Sequence, residues 1–446
     1  MIRRGVLGLL TAVVGAALVA GCAAPAPAPL SRTEVAAPVA ADTVHPCTRE
    51  APAATEPAAT AAPADLDVRF DRAAGRIELA GGTGVTLPAL AAAVGDPAAL
   101  REDAPGEWLL GADLVVLGGA GLQITAPDVR WLKLSSAPDR FVSLEARGGR
   151  LDITGTCVTS WNDAQGQVDG NYSDGRSFLL ARDGAQMNIA HAEVRHLGHG
   201  DVESYGLSWR TAGTGGSIRD SIVSNLYYGL YTHEVSGLSV LGNEFYANVL
   251  YGIDPHTGST DLRIERNVVH DNGKHGIILA EDCTDSVIRD NVVYRNAHHG
   301  IVLYLSSDRN LVEDNESFGN TAQGINVNES ADNTLRGNRV YDNGETGVGI
   351  TQTAERNLVE GNQLRANKQD GVRVVSASTD TTVRGNLIAE NARYGVYVDT
   401  SGTVDVTGNT ITDNRSGIVS TGAPVAPDGA NDVHDNQEAD VVAEGG

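Results

Sequence analysis

The feature that most constrains this chain is a repeat. From about residue 200 onward, a Gly followed by an apolar residue returns at Gly206, Gly229, Gly252, Gly276, Gly300, Gly324, Gly347, Gly371, Gly395 and Gly417, at intervals of 22 to 24 residues. Two Asn columns keep phase with it. One is Asn243, Asn267, Asn291, Asn315, Asn338, Asn362, Asn386 and Asn409; the other, five positions later, runs from Asn248 to Asn414. Columns in phase over eight periods mean one short unit stacked on itself. Within each period the apolar positions alternate. Val240, Ile264 and Ile288 precede the first Asn by three; Phe245, Val269 and Val293 follow it by two; Ile277 with Leu279 and Ile301 with Leu303 follow the Gly. Period two without a helical period means three short strands per unit. The LxxLxLxxN spacing of a leucine-rich repeat is absent. The expected fold is therefore all-β, a parallel β-helix of about 23–24 residues per coil. Identical positions then stack about 4.8 Å apart, and the Asn columns read as hydrogen-bonded ladders before anything catalytic.

The remainder of the chain reads differently. Arg3 and Arg4 precede an apolar run, Val6 to Ala20, too short to span a bilayer. It ends in Val19-Ala20-Gly21-Cys22, which resembles the lipobox of bacterial lipoproteins, with Cys22 as the lipidated residue. The alternative is an ordinary secretory signal. Either reading places the mature protein outside the cytoplasm, lipid-anchored to the bacterial membrane or secreted. Residues 1–22 are thus read as a signal peptide and the Ala/Pro-rich stretch 23–64 as a tether. Residues 65–200 read as a cap and irregular first coils, with 87–100 helical. Residues 201–422 form the regular solenoid, and 423–446 a polar C-terminal tail or cap. Cys47, Cys157 and Cys283 remain for disulfides, and three cannot all pair. The formal charge of −24 argues against a nucleic-acid partner. The chain is expected to act as a monomer.

The middle coils carry chemistry that stacking does not need. If the residues one and three after the Gly point inward, those two and four after it point outward. Arg210, Tyr231, His233, Asp254, His256 and Tyr304 then share one surface. Tyr251, Lys274, His275 and His299 lie just before the Gly, where plain alternation would send Tyr251, His275 and His299 inward. Their polar character implies a bend at the Gly. Later coils lose this patch. Clustered proton-transferring groups on one face mark a reactive site. Pro255 at an inward position breaks a strand rule, as functional sites do. His233 and His256 with Asp254 would suit zinc by donor type, but no spacing demands a metal. No cofactor is expected, and nothing resembles the nonapeptide calcium repeat.

The stretch YGIDPHTGSTDLRIERNVVHDNGKHGIIL, from Tyr251, resembles the DPH-motif coil of bacterial mannuronan (alginate) C5-epimerases, which are right-handed parallel β-helix proteins. EWLLGADLVVLGGAGLQITA, LDITGTCVTSWN and SYGLSW resemble the early coils of the family's periplasmic branch. The resemblance implies an acidic polysaccharide substrate and proton abstraction at C5 of a uronic acid. It implies His256 as the base, Tyr251 as acid or second base, and Asp254 as the group that orients His256 or tunes its charge. Outward residues of adjacent coils, namely Arg210, Tyr231, His233, Lys274, His275, His299 and Tyr304, would line the sugar subsites. Two positions depart from the family. Thr257 stands where DPHD or DPHE is usual, and Glu281 where the periplasmic branch places a carboxylate-neutralising Arg. Two other readings stay open: a polysaccharide lyase on this fold, and a non-catalytic glycan-binding protein of the cell envelope.

Overall fold

Three parallel sheets wind about one axis in the computed structural model, which describes residues 42–48, 65–138, 140–422 and 430–443. Cys22 and the signal segment lie outside the described residues. Each coil contributes one strand to each sheet. The first sheet contains Gly206–Arg210, Tyr228–His233, Ile253–His256, Ile277–Ala280, Ile301–Tyr304 and Ile325–Asn328. The coil that carries Ile253–His256 continues with Arg263–Glu265 in the second sheet and Val268–His270 in the third. Register is strict. Tyr231 pairs with Asp254, Thr232 with Pro255 and His233 with His256. Toward the following coil the strand pairs only at Ile253 with Ile277 and His256 with Ala280. Pro255 has no N–H to donate, which accounts for the interruption.

The inward columns close the core as the alternation requires. Ile253, Ile277, Leu279, Ile301 and Leu303 are fully buried. The column glycines are demanded by close approach. A Cβ on Gly252 would lie 2.5 Å from Val269 Cγ1 and 2.6 Å from the Gly276 carbonyl oxygen. No side chain fits between coils there, so the residue before the Gly can face outward while the strand stays packed.

The corners combine a left-handed residue with an Asn. Arg266, Asp290 and Asp314 have φ of 56°, 55° and 54° and precede Asn267, Asn291 and Asn315. Each of these Asn side chains bonds up and down the stack. Asn267 Nδ2 donates to Asn291 Oδ1 at 3.0 Å, and Asn291 Nδ2 to Asn315 Oδ1 at 2.9 Å. The second column behaves alike, Asn248 to Asn272 at 2.8 Å and Asn272 to Asn296 at 2.9 Å. A third ladder joins backbone to side chain through Asn310, Asn333 and Asn357.

The ends differ in detail from the sequence reading. The helix is Leu87–Val94, shorter than 87–100, because Gly95 takes the left-handed conformation and ends it. Its Leu87, Leu90 and Val94 join the core and cover the N-terminal end. The C-terminal segment is more than a tail: Asp432–His434 and Ala439–Ala443 add strands to the third and first sheets, and Asn431 and Asn436 extend both ladders. Within the Ala/Pro-rich stretch, residues 42–48 lie on the solenoid. Cys47 is disulfide-bonded to Cys157, and Thr48 N donates to Glu193 at 2.9 Å. Cys283 is a buried thiol.

Candidate functional site

On the outer face of the first sheet a groove of about 550 Å³ runs across the middle coils. Tyr231, Tyr251, Asp254, His256, Lys274, His275, His299 and Tyr304 line it, with Tyr205, Tyr228, His298, Asn326 and Asn328 among the residues not singled out from sequence. The residues before the Gly column do face outward. Tyr205, Tyr228, Tyr251, His275 and His299 form one ring column, with successive centroids 4.5, 5.2, 5.4 and 5.1 Å apart. The inter-coil spacing, not ring attraction alone, sets that distance.

Arg210 is buried against two tyrosines of the groove wall and is not itself among the residues that line the groove. Its guanidinium sits 4.6 Å from the Tyr231 ring and 5.3 Å from the Tyr205 ring. Its Nε and Nη2 are buried without a hydrogen-bond partner. Tyr231 in turn stacks on His256 at 5.6 Å. Burial raises the phenols of Tyr228 and Tyr231 well above their ordinary value, so both stay neutral. His233 is the register partner of His256 but is absent from the groove lining; its Nδ1 lies 3.9 Å from Glu234.

Asp254 is 1% exposed, and neither carboxyl oxygen has a hydrogen-bond partner. Burial drives its carboxyl well above the usual range, Lys274 opposes this, and Glu281 adds to it. Burial thus favours the protonated form of this carboxyl over the carboxylate. Of the two roles expected for Asp254, orienting His256 or tuning its charge, the first finds no hydrogen bond here, since neither carboxyl oxygen has a partner. The His256 ring is held elsewhere. Its Nδ1 lies 2.8 Å from Thr257 Oγ1, and that hydroxyl donates to Glu281 Oε2 at 3.1 Å. Thr257 and Glu281 are the two departures from the family pattern, and the structure joins them. Burial lowers the His256 pKa first of all; Glu281 opposes, while His233 and Arg210 lower it further. Lys274 Nζ donates to the Tyr251 phenol oxygen at 2.6 Å.

The neighbouring imidazoles are set the opposite way. His275 Nδ1 accepts the backbone N–H of His299 at 3.3 Å, and His299 Nδ1 accepts that of Gln323 at 3.1 Å. A backbone N–H can only donate, so each neutral ring carries its proton on Nε2. Burial pushes His275 down to about 2 and His299 to about 3. Both are neutral N–H donors. Among the described residues, His275, His298 and His299 are the one group of three potential metal ligands close together. His233, His256 and Asp254 do not form such a group. The His275 and His299 rings are stacked, parallel to within 5° at 5.1 Å, rather than turned toward a common point.

A protein whose three-sheeted solenoid carries such a groove falls among the right-handed parallel β-helices. A family model described as a right-handed β-helix region matches residues 163–316 and 278–437, and the chain belongs to that family. Among curated proteins it is similar to the mannuronan C5-epimerase of Pseudomonas fluorescens, 32% identical over 197 residues, and equally to mannuronan C5-epimerase AlgG of Azotobacter vinelandii. Each match covers 41% of this chain and 36% of the relative, so the matched part spans about a third of those proteins. Among solved structures it is similar to the periplasmic alginate epimerase AlgG, with a TM-score of 0.64 and 25% identity over 82% of this chain and 85% of that one.

Proposed function

We propose that this chain is an extracytoplasmic C5-epimerase of a polyuronate of the mannuronan type. The observation that carries the reading is the convergence of Tyr251, Asp254 and His256 on one groove. The names borne by the similar proteins support it.

In this reading His256 removes the C5 proton. The C5–H electron pair moves into the adjoining carboxyl group as an enediolate, whose charge must be met. Asp254, whose burial favours its protonated form, lines the groove as a donor, and Arg210 stands behind Tyr231 with unpartnered N–H groups. Tyr251 returns a proton to C5 on the opposite face, and the Lys274 ammonium meets the charge left on the phenol oxygen. Proton exchange with water then resets His256 and Tyr251. Tyr231, His275, His299 and Tyr304, which line the groove, hold neighbouring sugars. Cys22 tethers the enzyme to the membrane, and a single chain suffices for activity.

The test is hydrogen exchange at C5 of polymannuronate in deuterated water, with His256→Ala as control. Incorporation with inversion and without chain cleavage, lost in the variant, is the expected result. An unsaturated product absorbing in the near ultraviolet would make the protein a lyase. No exchange on any polyuronate would leave a glycan-binding protein.

A further inference from the structure

Two residues look like defects in the motif. Thr257 replaces a carboxylate next to the histidine, and Glu281 puts a negative charge where a cation belongs. In space they are one device. They lie 24 residues apart, one coil period, so Thr257 and Glu281 occupy equivalent corners of adjacent coils. Both corners have positive φ, 29° at Thr257 and 61° at Glu281, where the chain turns out of the first sheet.

The donor count fixes the direction of every bond. Glu281 as a carboxylate only accepts, so the Thr257 hydroxyl gives its single proton to Oε2 at 3.1 Å. The Thr257 oxygen can then only accept, and its partner at 2.8 Å is His256 Nδ1. Nδ1 must therefore carry the imidazole proton. The lone pair is left on Nε2. His275 and His299 show the opposite tautomer in the same groove, because a backbone amide donates to their Nδ1. The partner at Nδ1 thus decides whether a ring in this site is a base or a donor.

We propose that Glu281, acting through the Thr257 hydroxyl, is a positioning residue that fixes His256 as the Nδ1–H tautomer and presents its Nε2 lone pair to the substrate. The relay takes over the orienting task from the carboxylate that usually follows the histidine, moving it one coil along the rod. This rests on the reading of His256 as the base. The charged and titratable groups around His256 are Glu281 on the following corner, His233 and Tyr231 on the preceding coil, with Glu234 beside His233, and Arg210 one coil further back; Asp254 is on the same strand. Of these, Glu281 is the one that raises the His256 pKa.

The experiment combines the tautomer with the rate. In full-length protein carrying ¹⁵N-histidine, the His256 ring should show a protonated Nδ1 and an unprotonated Nε2 at neutral pH. Thr257→Val should lose that preference and lower kcat about tenfold or more, with KM little changed. Thr257→Ser, which keeps the hydroxyl, should restore both. Glu281→Gln should move the acid limb of the kcat/KM profile to lower pH, since it removes the charge that holds the His256 pKa up. A wild-type His256 protonated on Nε2, or a Thr257→Val enzyme with unchanged kcat, overturns the proposal. The ring tautomer reads the relay even if no polyuronate is turned over, so failure of the relay and failure of the epimerase reading are separate outcomes.

Discussion

Lys274 Nζ and the Tyr251 phenol oxygen lie 2.6 Å apart across adjacent coils, a cation donating to the oxygen that would lose a proton in the reaction. The contact ties the phenol to one side of the groove. It also separates the two half-reactions. Tyr251→Phe leaves His256 intact, so C5 deprotonation should persist while reprotonation from the far face fails. The expected outcome is a drop of about 10²–10⁴-fold in inversion, with residual deuterium uptake in retained configuration. NMR of the product in deuterated water distinguishes the two. Inversion at the wild-type rate would remove Tyr251 from the mechanism.

Asp254 offers a stability test with a definite sign. Its carboxyl is buried without partners and its pKa stands well above the unfolded value. The folded state keeps the proton after the unfolded state has lost it. Stability from this group should therefore fall as pH rises from the ordinary Asp value of about 3.9 toward the raised folded value. Asp254→Asn should remove that fall, and its melting temperature should match or exceed the wild type at pH 8 while activity drops. Melting curves of both proteins from pH 4 to 8 check this. A parallel pH dependence in the two would show that Asp254 is ionised in the fold.

His299 is read as a neutral N–H donor, not a proton carrier. The next coil places Gln323 in the same column. His299→Gln keeps a donor and should hold KM within about threefold, whereas His299→Leu loses a hydrogen bond and should raise KM by about two- to tenfold. Neither should move the pH profile. A shifted acid limb in His299→Gln would make this imidazole a titrating participant.

The Asn ladders carry stability and no chemistry. Asn291 accepts from Asn267 N and Nδ2 and donates to the Ile264 carbonyl and to Asn315. Asn291→Ala strands buried partners on both neighbouring coils and should cost about 2–4 kcal/mol. Chemical denaturation measures it. An undisturbed midpoint would mean that water replaces the ladder.

Much of the rod is visible in the primary structure because a solenoid turns sequence period into spatial adjacency. Residues 22 to 24 apart become vertical neighbours, so the Gly, Asn and aliphatic columns specify coil, corner and core together. The same rule gathers Tyr251, Asp254, His256, His275 and His299 on one face. Asn310, Asn333 and Asn357 obey it too, though that column does not stand out until hydrogen bonds connect it. Thr257 and Glu281 stand out in the sequence as separate departures, and only the hydrogen bond between them makes them a pair. The disulfide from Cys47 to Cys157 spans 110 residues outside the repeat, so no period announces it.

Chain order alone decides which residues stack and which way their strands alternate, since both follow from backbone geometry. Tertiary structure decides what each stacked group does. Burial favours the protonated form of Asp254, and the partner at Nδ1 is a hydroxyl for His256 but a backbone amide for His275. Those outcomes depend on solvent exclusion and on contacts a few ångströms long between separate coils, quantities that a periodic pattern does not contain.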